Sequence, residues 1–540
     1  MIPLKPMMLG LWTRSRRSFY RVAVAAAVCL LLSAAGAQAA AGQQATAGAP
    51  PAPSQCLLAG RIADPADLLQ RLARPLRAAD GRTEAADLAQ ALAARMGLPD
   101  ATCLDLSQPV DFLYLTPAKH ADPWVFRFRT TDAARLREAL AGSHSLVCER
   151  GTLVTATRNP DAAPGELWAA VERSALSAPR RGQLSVRADV QGLLQVFDAD
   201  VERQIQLMKE RMEATLHRPF VPEATAGETA EFQAQLDRAF LIARQVDRAE
   251  MWVDLTDERA LLGVHASPLG GSLLSVLLGL QPRGSLDALR RCPDDAIIAL
   301  LHRFRVGRQL LRAPLDRLRQ VLGTSEAPEE PAAEVLAALP RPGDGRRVQL
   351  LLQSTGSNPG RPARLWEALA NTPTSAHPLP LTLEPIEPED RTMSGVRTAD
   401  VLPHDNWAAI FGGLLGEGAK AALDAGEERS TLLVGAQPLR RVRQIRALGN
   451  GGDFSLRDEA RFSASLEGIP ERPQALLYVA PEGLERWFAL AGVPAQAIAP
   501  VPRGVTAAVH VSSVEGVHAA VTVPLGPVSR ALGHQRLNAP

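Results

Sequence analysis

Apolar positions follow two periods along this chain, and the switches between them mark its elements. Cys56 to Gly60 is a continuous apolar run. Asp64-Pro65 follows, where Asp64 is a capping residue type and Pro65 suits the first helical position. Leu68, Leu69, Leu72 and Leu76 then recur at helical spacing. Trp124 to Arg129 alternates as a half-buried strand does, and Thr131 is placed to cap a helix carrying Arg135-Leu136-Arg137-Glu138-Ala139-Leu140. Downstream, Val348 to Gln353 is strand-like and is followed by Arg364-Leu365-Trp366-Glu367-Ala368-Leu369. The motif Arg-Leu-x-Glu-Ala-Leu thus occurs twice behind a strand. Its offset of 229 residues is too long for a solenoid and predicts two related halves.

The remaining segments extend the mixed pattern. Ala249–Leu255 and Ala260–Ala266 predict a hairpin around Thr256-Asp257-Glu258. Leu146–Cys148 turns back into Thr152–Thr157. Ala296–Leu301 and Ala475–Val479 are short strands, and Gly504–Ser512 with His518–Pro524 reads as a closing hairpin. The longest helix candidate, Leu193 to Leu216, aligns Leu194, Phe197, Val201, Ile205, Met208 and Met212 on one face. The expected class is α+β, with antiparallel sheets each covered by helices. Pro-, Gly- and Ala-rich stretches divide the chain into a leader (1–39), a flexible linker (40–54), α+β modules at 55–180 and 181–327, a linker (328–346), and an α+β region at 347–540 related to the first half.

Charge changes the picture at the N-terminus. The whole chain carries +1, but the first 39 residues hold five basic residues and no acid, which leaves −4 on the rest. That balance gives no electrostatic footprint for nucleic acid. Only four basic residues are lysine (Lys5, Lys119, Lys209, Lys420), in keeping with an Ala-, Leu- and Arg-rich composition. A basic stretch from Arg14 to Arg21, an apolar run from Val22 to Leu32, and Ala37-Gln38-Ala39 form an export signal with Ala40 as the new N-terminus. Ser15-Arg16-Arg17-Ser18-Phe19-Tyr20-Arg21 resembles the twin-arginine export motif. The expected location is the periplasm or cell surface, with no integral membrane segment once the signal is removed. Cys29 leaves with the signal, so Cys56, Cys103, Cys148 and Cys292 remain as candidate disulfide partners. Three connectivities are open, and Cys56–Cys103 with Cys148–Cys292 is the nearest-neighbour default.

Motifs for common chemistry are missing. The chain has no Gly-x-Ser-x-Gly, Ser-x-x-Lys, His-Glu-x-x-His or phosphate loop, and no strand leads into Gly-x-Gly-x-x-Gly. No Cys/His cluster has zinc spacing, so neither metal, cofactor nor catalytic residue is assigned. Gly449 to Asp453 reads as a turn, and Arg440, Arg441, Arg443 and Arg446 before it as a solvated helix face. Pro293-Asp294-Asp295 reads as turn chemistry, and Asp405 as a helix cap. Two apolar stretches stand out. Leu261 to Leu280 has no charged residue and reads as a strand followed by a buried helix. Trp407 to Leu415 is apolar and glycine-containing. Leu273, Leu277, Leu278, Trp407, Phe411 and Leu415 are the candidate ligand-facing residues, because glycine inside an apolar helix marks close approach.

The chain resembles large exported bacterial proteins of unknown function built from duplicated strand–helix modules. The resemblance lies in Ala260–Leu280, where a strand runs into Gly271-Ser272 and a Leu-rich helix. It lies also in Leu286–Leu301 and Ser465–Val479, where a helix meets proline and then a strand. It implies no activity and no catalytic residue. The leading expectation is an exported, non-enzymatic protein that binds an apolar ligand or an envelope partner. The alternatives are a hydrolase with a dispersed site, in which His302, His404 or His510 meets a carboxylate and a serine, and a structural or assembly module.

Overall fold

The computed structural model describes residues 56–116, 123–141, 144–149, 152–157, 181–197, 244–279, 281, 284–303, 333–341, 344–355, 361–371, 381–387, 393–403, 405–426, 429–449, 455–484, 503–512 and 516–525, with single residues between 199 and 210. Among the described residues there are eighteen strands, and they form one sheet. In chain order they are β1 (Cys56–Ile62), β2 (Val110–Leu115), β3 (Trp124–Arg129), β4 (Ser145–Glu149), β5 (Leu153–Thr157), β6 (Leu184–Asp189), β7 (Val246–Leu255), β8 (Arg259–Pro268) and β9 (Ile298–His302). They continue with β10 (Ala333–Arg341), β11 (Asp344–Thr355), β12 (Leu381–Ile386), β13 (Val396–Pro403), β14 (Lys420–Ala425), β15 (Arg429–Gly435), β16 (Ala475–Val479), β17 (Val505–Ser512) and β18 (Gly516–Pro524).

Every pairing among the described residues is antiparallel. The ladders give the spatial order β4-β5-β3-β2-β1-β6-β7-β8-β18-β17-β16-β9-β10-β11-β15-β14-β13-β12. Read outward from the β8–β18 joint, the two directions repeat one topology for eight strands. Each run starts with the last strand of its own segment, and the β12–β13 hairpin extends only the second.

This corrects the expectation of α+β architecture with separate sheets, each covered by helices. The edge strands β8 and β18 pair with each other, from Arg259↔Pro524 to Ala266↔Val517, and so merge what would be two sheets. Alternation in a sequence specifies which face a residue takes and not which strand lies beside it. The helical cover is also partial. On one face, α1 (Pro65–Asp80), α2 (Ala85–Met96) and α3 (Ala133–Leu140) close a core over β2, β3 and β5 that includes Leu68, Met96, Phe112, Phe128, Leu136 and Leu140. Farther along that face, α5 (Arg361–Asn371) and α6 (Asp405–Leu415) cover β11 and β13–β15 through Trp366, Leu369 and Leu415. Among the described residues, only α4 (Leu273–Gly279) sits on the sheet between these two covers, with Leu274 and Leu278 against Val509, Val511 and Val517.

The opposite face carries the largest core. There α7 (Pro438–Gly449), α8 (Ala460–Ser465) and the 3-10 turns Leu286–Arg291 and Leu456–Asp458 bury Leu289, Leu301, Leu339, Leu351, Phe462 and Tyr478. The two copies of Arg-Leu-x-Glu-Ala-Leu form α3 and α5, which follow the corresponding strands β3 and β11. The predicted cap at Thr131 shifts by one residue. Asp132 accepts from the Ala134 and Arg135 amides at 3.1 and 3.0 Å, while the Thr131 hydroxyl donates to the Thr102 carbonyl at 2.7 Å. Asp64 caps α1 as expected, accepting from the Asp67 amide, and Pro65 is its first residue. Of the long helix expected at Leu193–Leu216, every described residue from 193 to 210 is helical; its end past 210 lies outside the described residues.

Candidate functional site

The central strands are apolar on both sides. Successive residues of a strand face opposite sides of the sheet, so β9 (Ile298-Ala-Leu-Leu-His302) turns Ala299 and Leu301 into the large core. Ile298 and Leu300 therefore face the other way. The ladders carry that second face across six adjacent strands, β8-β18-β17-β16-β9-β10. One row runs Leu262, Val521, Ala507, Leu477, Leu300, Leu336, with each residue opposite the next. The neighbouring row contributes Val264, Ala519, Val509 and Ala475 before it ends in His302 and Glu334. The first row holds no charged or polar residue. Six strands at about 4.8 Å spacing make a floor roughly 24 Å wide.

Among the described residues, only α4 rests on this floor, over Val509, and the row beyond it stays partly exposed. Ile298 is 40% exposed, Leu300 36%, Leu336 47%, Leu477 38% and Val264 39%. Strands apolar on both faces belong to sheets covered on both faces. Here one face lies under the helices of the large core and the other lies between the two helical covers. Contiguous exposed apolar surface is uncommon on single soluble chains.

The floor's other side holds a polar row at the joint. Glu250 of β7, His265 of β8, His518 of β18 and His510 of β17 stand opposite one another in sequence across the ladders. The His265 and His518 rings meet edge to face with centroids 6.5 Å apart, and His518 lies 5.2 Å from Trp252. Glu250 pairs with Arg187 at 3.2 Å, and the guanidinium of Arg181 lies 5.2 Å over the Trp252 ring. His510 donates through Nδ1 to the Arg472 carbonyl at 2.8 Å. Among the described residues, no three His, Cys, Asp or Glu side chains are grouped to hold a metal ion.

Of the six ligand-facing residues expected from sequence, the side chains of three are described, and these pack inward. Leu278 and Leu415 are buried in packed cores, and Phe411 packs against the core under α6. The side chains of Leu273, Leu277 and Trp407 lie outside the described residues. A half-open pocket of about 230 Å³ is lined by Ile386, Thr398, Lys420, Gln437, Pro438, Leu439 and Arg440, and neither predicted stretch reaches it. His302 turns away from the large core and His510 toward it, so these two expected relay members sit on opposite faces of the sheet. His404 and Asn450 to Asp453 lie outside the described residues.

The cysteines and arginines also depart from the sequence reading. Cys56, Cys103 and Cys292 are buried in three different cores, and no disulfide joins them. The Cys56 thiol donates to the Leu58 carbonyl at 3.0 Å. Burial pushes the Cys292 thiol far above its usual range. The Cys148 side chain lies outside the described residues. Arg441, expected on a solvated face, is buried. It donates to Asp295 (2.5 and 3.2 Å), Gln349 (3.0 Å), Gln444 (2.7 Å) and the Pro340 carbonyl (2.9 Å). Arg446 makes a two-pronged bond to Asp424 at 2.8 and 3.0 Å. Two of the four arginines therefore fasten α7 to the sheet.

Strands read one at a time do not reveal the floor. The available signal is Ile298-Ala-Leu-Leu and Ala475-Leu-Leu-Tyr-Val, which are apolar on both alternating sets. No helix among the described residues is long and apolar enough to cross a membrane. No known family model, curated protein or solved structure matches the chain.

Proposed function

We propose that this is an exported, non-enzymatic protein of the bacterial envelope that holds an apolar ligand, or the apolar face of an envelope partner, on the open floor of its central sheet. The observation that carries this reading is the uncharged row Leu477-Leu300-Leu336, three leucines side by side on adjacent strands with over a third of each left exposed. Covering what remains exposed is worth roughly 1 kcal/mol per side chain, so a handful of such residues supports a specific complex. The leader sequence supports export, and the mature chain's slight negative charge argues against a nucleic-acid partner.

An environment-sensitive apolar dye tests the reading. The mature protein should bind and brighten it, and Leu300→Gln with Leu336→Gln should weaken binding at least tenfold while the fold is retained by circular dichroism. Equal dye binding by wild type and the double variant would contradict it.

A further inference from the structure

The two ends of the sheet are finished differently. Counted outward from the β8–β18 joint, the eighth strand is β4 on one side and β14 on the other. The outer edge of β14 is paired along its length by β13, from Val396↔Asp424 to Asp400↔Lys420. Among the described residues, β4 pairs only with β5. The far edge of the sheet, β12, carries Pro385 within the strand, opposite Ala399. Proline lacks the backbone donor that an added strand needs, and it is a recognised way of blunting an edge. The β4 sequence Ser-Leu-Val-Cys-Glu has no proline, no lysine and a single charge at its end.

We propose that two copies of this chain join through their β4 strands, antiparallel about a twofold axis. Three observations favour a second copy over another occupant. Pairing centred on Val147 sets Ser145 opposite Glu149 and Leu146 opposite Cys148, so no like charges face each other. Every ladder among the described residues is antiparallel, which is the arrangement a twofold between identical strands requires. The chain already contains one such joint, because β8 and β18 occupy corresponding places in their runs and pair antiparallel. Pro385 at the opposite edge stops the sheet from growing further, so the product is a closed dimer and not a filament.

Size-exclusion chromatography with light scattering, run over a dilution series of the mature chain, tests the proposal. The expected result is a dimer that dissociates on dilution. Residues alternate along a strand in the side toward which their backbone groups point. Of Leu146→Pro and Val147→Pro, one should therefore abolish the dimer with an unchanged melting temperature, and the other should break the β4–β5 ladder and lower it. Val147→Cys in a Cys148→Ser background guards against misfolding of the proline variants. Residue 147 faces its own copy across the axis, so mild oxidation should convert this variant to a covalent dimer. A wild type that is monomeric at every concentration, a dimer that survives both proline changes, or a Val147→Cys variant that does not cross-link would overturn the proposal.

Discussion

Leu300 of β9 and Leu336 of β10 face each other across adjacent strands, and both look away from the large core with more than a third of each side chain exposed. Their neighbours Ala299, Leu301, Val335 and Ala337 fill that core. Among the described residues, the strands are thus packed on one face and left partly exposed on the other. Replacing Leu336 by Gln should change the free energy of unfolding by less than about 1 kcal/mol, since little is buried to lose. Replacing Leu301 by Ala on the packed face should cost about 2–5 kcal/mol. Urea titration of the two variants checks the contrast.

The hydrophobic pattern places β16, the β7–β8 and β17–β18 hairpins and the Asp64 cap correctly, because each depends on contacts within a few residues. The β8–β18 joint depends on residues about 260 positions apart, such as Leu261 and Thr522, and period-two alternation is silent about that. The cap at Asp132 is displaced by a competing bond, since Thr131 spends its hydroxyl on Thr102. Charge alone is a poor guide to Arg441. It shares helical spacing with Ile445 and Leu448, which are both buried, and that spacing is the legible sign that it points inward.

Arg441 is where α7 is fastened to the sheet. Arg441→Met should destabilise the protein by about 3 kcal/mol, because Asp295 and Gln349 lose a shared donor in a buried site. Arg441→Lys should recover less than half of that, since an ammonium cannot reproduce the fork that meets both Asp295 oxygens. Chemical denaturation of both variants gives the comparison.

Gly263 leaves the space that Trp252 fills. A β-carbon at Gly263 would stand 2.1 Å from the indole ring. Gly263→Val should push the ring off the sheet and destabilise the protein by about 1–3 kcal/mol. A red shift and broadening of the tryptophan emission should accompany the loss, and an unchanged spectrum would count against this packing.

Acid should loosen the joint between the two strand runs. Glu467 accepts from Arg503 at 2.8 Å and meets Arg259 at 2.9 Å, and the hydrogen bond from Arg503 is the main reason its carboxyl titrates below the usual 4.5. A depressed carboxyl adds stability that is fully present above its unfolded value and is lost as pH falls through the folded one. The melting temperature should therefore drop below about pH 4.5, and Glu467→Gln should flatten that part of the curve.

The thiols give a separate check on the cores. Cys56, Cys103 and Cys292 should resist Ellman's reagent in the native protein and react in denaturant without any reductant. Peptide mapping that found any two of them joined would contradict their placement in separate cores.

The most direct measurement is native mass spectrometry of the protein purified from the cells that make it, followed by denaturation and analysis of whatever is released. The account predicts an apolar compound or a bound envelope protein on the wild type, absent from the Leu300→Gln, Leu336→Gln, Leu477→Gln variant. Wild type and variant both at the bare chain mass, or both carrying the same companion, would contradict the open floor as the binding face.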